Sequence, residues 1–569
     1  MSTSVPARPA GLLDADAPPE EVVVAYHERT KHHFDRYAAS LGYMDWGTQP
    51  DPFRRYQGAD LVRLPLPKLG RPLPYWQLYA RGDVSSEPLS LESISLFFRY
   101  ALSLTAWKRF HDAKWSLRAN PSSGNLHPTE GYAVLPAIDR LGDAPAVYHY
   151  APKEHALERR AILNAKAWSE LCAPFPEGSF LVGLSSVHWR EAWKYGERAF
   201  RYCQHDAGHA LATLRIAAAA LGWGLVLLDG IGDETIAGLL GLSRADDYGT
   251  AEREEPELLA LVTPGLPSTF PRLVNGLMAG SIGAQWCGVA NTLSPEHSVN
   301  WPVIDEVARA TRRSASAPIT EDFRGFPTYE ELFRLPVRQG LLTAEKAILG
   351  RRSAVAMDGS TAISQEAFFR TLARLMPTRD RQSMPWDAIP WRPHIHLGLF
   401  VHRVGGVPPG LYALARDPDK LAALKEVMRR EFRWQRLPSC PPGLPLYLLQ
   451  EGDCRALAAT VSCGQDIAGD GAFSLGMIAD YINGLTTYGA AFYRNLFWEA
   501  GMVGQVLYLE AEEVGIRSTG IGCYFDDPVH EAFGIASREW QSFYHFTVGG
   551  PVEDTRLTTL SAYDFEEQR

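Results

Sequence analysis

The sequence has no long hydrophobic run. Its longest nearly uninterrupted apolar stretch, Ile216 to Leu228, spans 13 residues and contains two glycines, whereas a membrane-spanning helix needs about 18 apolar residues or more. The first residues, Met1 to Pro19, lack the basic start and apolar stretch of a signal peptide. We therefore expect neither membrane insertion nor export.

Cysteines are few and scattered, and nucleotide-binding signatures are missing. None of the seven cysteines has a partner at the C-x-x-C spacing, which argues against a structural zinc site or a disulfide framework and favours a reducing cytoplasm. The sequence has no G-x-G-x-x-G after a predicted strand and no G-x-x-x-x-G-K-[ST]. Neither a Rossmann site nor a P-loop is supported.

Basic residues are also fewer than acidic residues. There are 56 basic residues against 66 acidic ones, for a net charge of -10 at pH 7, so nucleic acid is not an expected partner. The 46% hydrophobic and 21% charged content is that of a soluble globular protein. A length of 569 residues is several times the roughly 150 residues of one domain, so we expect two or more cores.

The chain does contain an internal repeat. A 48-residue segment that begins at Tyr195 aligns without a gap with the segment that begins at Tyr488, at a constant offset of 293 residues. The identical pairs are Tyr195/Tyr488, Gly196/Gly489, Arg201/Arg494, Ala207/Ala500, Gly208/Gly501, Leu214/Leu507, Ala218/Ala511, Gly222/Gly515, Asp233/Asp526 and Gly241/Gly534. Each copy predicts a long helix, residues 201–221 or 494–514, that ends at a glycine.

The patterns around these helices indicate the fold class. Short strand patterns occur in both copies, at residues 132–135, 147–150, 258–263, 397–404 and 543–548. Strands and helices mix without regular βαβ alternation, so the class is α+β. We predict a flexible tail and lead-in at residues 1–39, a first domain at residues 40–295, a linker at residues 296–329 and a second, homologous domain at residues 330–569. The two domains would form an intramolecular pseudo-dimer.

Two segments could bind a ligand. Pro121, Ser122, Ser123, Gly124 and Asn125 form a loop rich in hydrogen-bonding groups that could face a polar planar ligand, although an ordinary turn would have a similar composition.

Arginines supply the second segment. Arg351, Arg352 and Ser353 suit a phosphate, because arginine forms bidentate charge-assisted bonds, although basic pairs are common on protein surfaces. Arg556, after the Gly549-Gly550 turn, could add another phosphate contact.

Lys194 and Tyr195 are candidates for acid and base chemistry. Such a pair can transfer protons if burial or neighbouring charges shift their titration, whereas a solvated lysine beside a packed tyrosine would do nothing. His205 and His209 have the spacing of a helical zinc pair. The second copy has Trp498 at the first of these positions and no third ligand is evident, so we predict packing and no metal site.

These motifs together resemble the nitroreductase-like flavoproteins, and among them the SagB-type (ThcOx-type) azoline dehydrogenases of thiazole- and oxazole-modified peptide pathways. The resemblance rests on YHERTKH from Tyr26, QPDPFRRY from Gln49, the block around Pro121 and KYGERAFRYCQHDAGH from Lys194. The second half looks like a more divergent copy, so the resemblance covers nearly the entire chain. It implies two tandem nitroreductase-like domains, with antiparallel-rich mixed sheets flanked by helices, that share FMN at their interface.

The resemblance also implies a role for each candidate residue. In the first half, Pro121, Ser122, Ser123 and Asn125 would reach the flavin, and Lys194 and Tyr195 would carry the acid and base chemistry. In the second half, Arg351, Arg352, Ser353 and Arg556 would hold the phosphate, and a turn over residues 515–522 would bring the amides of Gly520, Ile521 and Gly522 close to the flavin ring.

The reciprocal set of residues is degraded. The second half has Pro385-Trp-Asp-Ala-Ile in place of the Ser-Ser-x-Asn loop, and the first half has residues 75–81 where Arg-Arg-Ser would be expected. Thr487 aligns with Lys194. We therefore predict one complete FMN site and one decayed site in each chain.

The implied activity is FMN-dependent dehydrogenation of a thiazoline or oxazoline to the azole in natural-product biosynthesis. The substrate could be a heterocycle-containing peptide, a carrier-bound heterocycle or a small molecule, and a cyclodehydratase or another biosynthetic complex would be a separate partner. Two alternatives remain open: an NAD(P)H-dependent nitro or quinone reductase on the same fold, and a non-catalytic scaffold.

Overall fold

The computed structural model describes residues 16–67, 72–80, 84–265, 285–333 and 342–563. These residues form two α+β halves, each built on an antiparallel sheet flanked by helices, and the predicted fold class is confirmed. Within the described ranges, none of the helices combines the length and the apolar character needed to cross a bilayer.

The elements follow one another in a similar order in the two halves. The first half contains α1 (Pro19–Arg29), β1 (Tyr56–Gln57), β2 (Asp60–Arg63), α2 (Leu91–Ala101), β3 (Leu104–Phe110), β4 (Ala113–Arg118), β5 (Thr129–Leu135), β6 (Ala146–Ala151), β7 (Ala156–Ile162), α3 (Ala165–Cys172), β8 (Phe180–Ser186), α4 (His188–Tyr195), α5 (Ala199–Ala220), β9 (Gly224–Leu227), α6 (Asp233–Leu240), β10 (Glu255–Thr263), β11 (Gln285–Trp286) and β12 (Val289–Ala290).

The rest of the chain begins with a helix in the connection between the halves. It contains α7 (Pro302–Ala310), α8 (Tyr329–Leu332), α9 (Ala344–Gly350), β13 (Ile363–Ser364), α10 (Gln365–Arg374), β14 (Ile395–Val401), β15 (Val404–Gly405), β16 (Gly410–Leu414), α11 (Leu421–Val427), β17 (Leu446–Glu451), α12 (Arg455–Val461), α13 (Ile467–Asp470), β18 (Phe473–Asp480), α14 (Tyr481–Tyr488), α15 (Phe492–Glu513), β19 (Arg517–Ile521), α16 (Asp526–Phe533), β20 (Trp540–Gly549) and β21 (Thr558–Leu560).

The two main sheets have equivalent topologies. The first has the strand order β11-β7-β6-β5-β8-β10-β9, with β2 also paired to β7, and the second has the order β17-β16-β14-β18-β20-β19. Helices α14, α15 and α16 each begin and end 293 residues after α4, α5 and α6. The offset found in the sequence is therefore the offset between equivalent elements, and both predicted long helices are confirmed.

The halves are joined where α5 crosses α15. Both helices are buried along almost their whole length. A Cβ atom added to Gly208 would overlap the backbone of Trp498, and one added to Gly501 would overlap the carbonyl oxygen of His205. Gly208 and Gly501 are equivalent positions of the repeat, so the missing side chains let the two backbones pack directly on each other at the pseudo-twofold axis.

The segments predicted as a tail and a linker contain packed helices in their described parts. Helix α1 buries Val23 and Tyr26, and the Tyr26 hydroxyl donates to the carbonyl of Glu197 at 2.7 Å. Helix α7 buries Val303 and Val307 and packs against α1. These segments differ from the expected flexible tail and simple connection because their apolar faces are covered by the domains; residues 1–15 lie outside the described residues.

Two further segments differ from the sequence expectations or extend them. Residues 517–521, predicted as part of a turn, form strand β19, which pairs with β20 in register Gly520 to Phe546. Strand β21, near the C-terminus, pairs with β3 of the first half rather than with the second sheet. The polypeptide therefore returns to the first half and closes a three-stranded sheet with the β3–β4 hairpin.

Substituting Gly208 with valine tests the helix crossing. We expect G208V to lower the free energy of unfolding by about 1–3 kcal/mol, because the new side chain must displace the backbone of α15. Thermal unfolding followed by circular dichroism measures the change. The control is G350A, since a Cβ at Gly350 would meet nothing within 4 Å; equal melting temperatures for the two variants would show that the crossing tolerates a side chain.

Candidate functional site

A cavity of about 720 Å³ lies where the two halves meet. The first half contributes the end of β4, the loop before β5, the last residue of α4 and one face of α5. The second half contributes the residues after α9, one face of α15, strand β19 and the segment before β21. The cavity is thus a product of the pseudo-dimer and belongs to neither half alone.

Most of the residues predicted from sequence meet at this cavity. Its walls include Pro121, Ser122, Ser123, Asn125, Tyr195, Arg351, Arg352, Ser353, Gly520, Ile521 and Gly522. A Cβ atom on Gly124 would lie 3.1 Å from Lys194 Nζ and 2.6 Å from Tyr195 Oη, so both candidate acid and base groups touch the predicted loop. Gly124 has a φ of +59°, and glycine is the residue that this position requires.

Hydrogen bonds to α5 and to β4 shape the loop. The backbone N–H and the hydroxyl of Ser123 both donate to Asp206 Oδ1, each at 3.0 Å. Asn125 Nδ2 donates to the carbonyl of Ser116 at 2.9 Å, and Asn125 Oδ1 lies 3.0 Å from His127 Nε2. The predicted ligand contact Asn125 therefore has both ends of its amide engaged in holding the loop.

Arg351 connects the two halves at the cavity wall. Its Nε donates to the carbonyl of Ala119 at 3.2 Å and its Nη2 to the carbonyl of Arg118 at 3.0 Å. Its Nη1 is buried and has no hydrogen-bond partner among the described residues. Burial lowers the pKa of Arg351, so an anion at Nη1 would satisfy both an unused donor and a desolvated charge.

Two more guanidinium groups lie nearby. Arg352 Nη1 donates to Thr105 Oγ1 at 3.1 Å, and burial, followed by the charges of Arg351 and Arg517, lowers the pKa of Arg352 to about 10. Arg517 pairs with Glu512, whose own pKa is raised by burial. Three arginines share one carboxylate here, which leaves an excess of positive charge on the cavity wall.

Ser353 and the glycines of β19 pack against tyrosines. Ser353 Oγ lies 2.8 Å from the hydroxyl of Tyr508, and Tyr508 Oη also accepts a hydrogen bond from the N–H of Gly520 at 3.1 Å. A Cβ on Gly520 would overlap the Tyr544 hydroxyl. The Gly520 amide is thus already hydrogen-bonded to Tyr508, and the missing side chain lets the Gly520 backbone lie close to the Tyr544 ring.

Arg556 is not part of the cavity wall. Its Nε and Nη2 donate to the two carboxylate oxygens of Asp554, each at 2.8 Å, and its side chain is 73% exposed. We therefore correct the expectation that Arg556 contacts the phosphate, because its guanidinium already pairs with a carboxylate two residues away. Arg517, which sequence analysis missed, takes the place of the third arginine; its only signal was its position beside the predicted glycine segment.

Tyr195 enters the cavity at the end of α4. The helix stops at Gly196, whose φ is +55° and where a Cβ would overlap the carbonyl of Ala39. The Tyr195 ring packs on Tyr202 with centroids 4.4 Å apart. Burial, with the charge of Glu191 second, raises the pKa of Tyr195 well above its usual value, so the phenol is protonated at neutral pH.

Two buried carboxyl groups, those of Asp206 and Glu191, lie close to Tyr195. Burial raises the pKa of Asp206 to about 7. Burial also raises the pKa of Glu191 well above its usual value, and neither of its carboxyl oxygens has a partner among the described residues. Asp206 lies between the two histidines of the rejected zinc pair, and the equivalent residue of the repeat, Glu499, is acidic as well. This shared acidic position is the sequence signal for Asp206.

The histidines of that motif pack in the interface. His205 Nε2 lies 2.8 Å from the carbonyl of Phe543, and the His205 ring stacks on Tyr544 with centroids 4.1 Å apart. His209 Nε2 is 3.4 Å from the Tyr544 hydroxyl. Both side chains are thus engaged with the second sheet.

The reciprocal position is smaller and is partly filled by a buried ion pair. Asp387, in the segment that aligns with the serine loop, forms a buried bidentate pair with Arg215 at 2.9 and 2.7 Å. Tyr75, in the segment that aligns with Arg351 to Ser353, donates to Glu510 Oε1 at 3.0 Å; Arg81 lies outside the described residues. Among the described residues, a smaller cavity of about 460 Å³ lies near Tyr488.

Comparisons with known proteins agree with this architecture. The family model described as the Nitroreductase family matches residues 83–250 and 424–550, which together make up just over half of the chain. The chain belongs to the nitroreductase family. Because the model matches twice, once in each copy of the repeat, this nitroreductase-family chain holds two nitroreductase domains.

Similar proteins are known in both sequence and structure. A nitroreductase-like protein of Methanocaldococcus jannaschii is 27% identical over 164 residues, which is 28% of this chain and 77% of that protein. A nitroreductase structure from Anabaena variabilis covers 93% of this chain and 99% of its own, with a TM-score of 0.65 and 22% identity, and shows the fold. The E. coli microcin synthetase McbBCD complex matches 44% of this nitroreductase-family chain and 94% of its own, with 18% identity and a TM-score of 0.26, too weak a likeness for any functional conclusion.

The raised pKa of Asp206 predicts a pH dependence of stability. An aspartate has a pKa near 3.9 in an unfolded chain, so between about pH 4 and pH 7 the folded state holds more protons and stability falls as the pH rises. D206N removes this contribution, and we expect its melting temperature to fall less than that of the wild type over this range.

The control for this experiment is D554N. The pKa of Asp554 is lowered to about 2, so that carboxylate stays ionised over the whole range and its removal leaves the slope unchanged. Thermal melts at several pH values compare the three proteins. If the melting temperature of D206N fell with pH as steeply as that of the wild type, the raised pKa assigned to Asp206 would be contradicted.

Proposed function

We propose that this chain is an FMN-dependent oxidoreductase that binds one FMN between its two halves. The observation that carries the proposal is the cavity of about 720 Å³ at which the serine loop of the first half faces Arg351, Arg352 and Arg517 of the second. The reciprocal position lacks both sets, since it holds the Arg215–Asp387 pair instead. One FMN for each chain follows from this asymmetry.

The residues present fit FMN. Its phosphate is an anion that would take the unused Nη1 of Arg351 and the excess positive charge of Arg352 and Arg517. Its ring system is planar, and Gly520 and Gly522 line the cavity, where the absence of side chains lets their backbone pack closely against Tyr544 and Tyr202.

When bound, FMN supplies the two-electron chemistry, and the chain supplies binding, orientation and proton transfer. Oxidation of an azoline removes two electrons and two hydrogens, one of which leaves as a proton. Lys194 Nζ is the group that we propose accepts this proton at the ring carbon of the substrate. Tyr195, protonated because its pKa is raised, donates a hydrogen bond from Oη and orients the heterocycle.

We propose an azoline, a thiazoline or oxazoline, as the substrate because Tyr195 and Gly124 line the cavity and Lys194 Nζ lies against Gly124. A heterocycle on a peptide or on a carrier, or a free small molecule, could present such a ring. The cyclodehydratase that forms the ring would be a separate protein.

A reductase is the second candidate, favoured by the family match itself, whose description is Nitroreductase. In that case NAD(P)H would reduce the flavin, and a nitro compound or quinone would be the acceptor. The same cavity would serve both reactions, so the reducing substrate distinguishes them.

The arginine assignment predicts a difference between R352A and R556A. R352A should weaken FMN binding by about 10- to 100-fold, because it removes one charge-assisted interaction with the phosphate. R556A should bind FMN like the wild type, since Arg556 is not among the residues that line the cavity and its exposed guanidinium pairs with Asp554. Fluorescence titration of the apoprotein measures both affinities, and the saturation point should fall at one FMN for each chain; a value of two would contradict the single site.

The catalytic assignment predicts that K194A keeps its flavin and loses turnover. Anaerobic mixing with a thiazoline-containing peptide should bleach the flavin of the wild type and of K166A, an exposed lysine elsewhere, but bleach K194A at least about 100-fold more slowly. Stopped-flow absorbance follows the reaction. Bleaching by NADPH and not by the azoline would establish the reductase instead.

A further inference from the structure

Two cysteines meet at the edge of the proposed flavin cavity. The sulfur atoms of Cys463 and Cys523 are 2.8 Å apart, although the residues are 60 positions apart in sequence. Both thiols are free and half-buried. Cys523 lines the cavity directly after Gly522. Cys523 is therefore reachable from the cavity, and Cys463 lies in contact with Cys523.

Hydrogen bonds from one side chain and the backbone conformation of Cys463 hold these two thiols together. Gln465 Nε2 donates to the carbonyl of Cys523 at 2.9 Å and to the carbonyl of Ser462 at 2.8 Å, so it ties the loop after α12 to the segment after β19. Cys463 has a φ of +56°, an uncommon conformation for a residue with a side chain. The loop thus adopts a left-handed backbone that places its sulfur against Cys523.

The surroundings favour thiol chemistry. The hydrogen bond between the two thiols lowers the pKa of Cys523, with the charge of Arg198 adding to this effect and burial opposing it, and the same hydrogen bond raises the pKa of Cys463. By contrast, burial raises the pKa of Cys172, Cys440 and Cys454 to between about 11 and 12. A disulfide needs sulfurs about 2.05 Å apart, so a small approach of the two side chains would allow the bond to form.

The pair belongs to the complete site alone. The constant repeat offset places Gly230, not a cysteine, at the position equivalent to Cys523. Cys523 also lies close enough to Tyr195 and Tyr202 for its charge to raise the pKa of both phenols, after the larger effect of burial. The thiols therefore adjoin the same wall as the candidate acid and base group.

We propose that Cys463 and Cys523 are a redox-active cysteine pair that exchanges two electrons with the flavin of the adjoining cavity. This inference rests on the proposed FMN function. In the oxidising direction the two S–H bonds break, one S–S bond forms, two protons leave, and the electron pair passes to an oxidised flavin. In the reverse direction the disulfide accepts two electrons and two protons from the reduced flavin, and both thiols are restored.

The first experiment asks whether the bond forms in the flavin-loaded protein. After mild oxidation with diamide and alkylation of remaining thiols, peptide mass spectrometry should find a cross-linked peptide that joins Cys463 to Cys523 and disappears with dithiothreitol. C463S, C523S and the control C287S, which removes an exposed cysteine elsewhere, are treated in the same way, and circular dichroism verifies their folding. Failure to detect the cross-link in the wild type and in C287S would overturn the proposal.

The second experiment counts electrons. Anaerobic titration of the oxidised protein with dithionite, followed by the flavin spectrum, should consume four electrons for each flavin in the wild type and in C287S, and two in C463S and C523S. Two electrons in a wild type that shows the cross-link would overturn exchange with the flavin. A chain that takes up no FMN would overturn the proposed function, and with it the exchange, while the cross-link still reports on the pair itself.

Discussion

The contact of α5 with α15 at Gly208 and Gly501 is the constraint on which the rest of the molecule depends. Because neither position has a side chain, the two helix backbones pack directly against each other at the pseudo-twofold axis. That approach sets the distance between the two sheets. It also brings the loop before β5 opposite the residues after α9, so a shared cavity exists only because this crossing is tight.

A symmetric scaffold nevertheless carries an asymmetric site. At one of the two equivalent positions the walls are arginines, serines and backbone; at the other they are Arg215 paired with Asp387, and Arg313, whose Nη2 donates to Asn495 Oδ1 at 2.7 Å. Fusion of the two copies into one chain removes the requirement that both surfaces remain identical, as they must in a homodimer. One site can then change into packing while the other remains a cavity.

Charge is distributed unequally within the cavity. The end near Arg352 and Arg517 has more cations than carboxylates, and burial makes that excess strong. The end near Tyr195 is backed by carboxyl groups whose pKa values are raised, with Asp206 at about 7. The first environment suits the binding of an anion, and the second suits proton transfer near neutral pH, so binding and proton chemistry are separated along one cavity.

The sequence by itself determined the repeat, the α+β class and the long helices, because these depend on periodicity, and it identified local motifs such as Pro121 to Asn125 that the structure places on the cavity wall. Only the tertiary structure decided which candidate groups reach the cavity: Arg517 lines it and Arg556 does not, and Cys463 meets Cys523, 60 positions away in the sequence. Which ion pairs form depends on the competition among charges brought together by folding, and no local pattern encodes that competition.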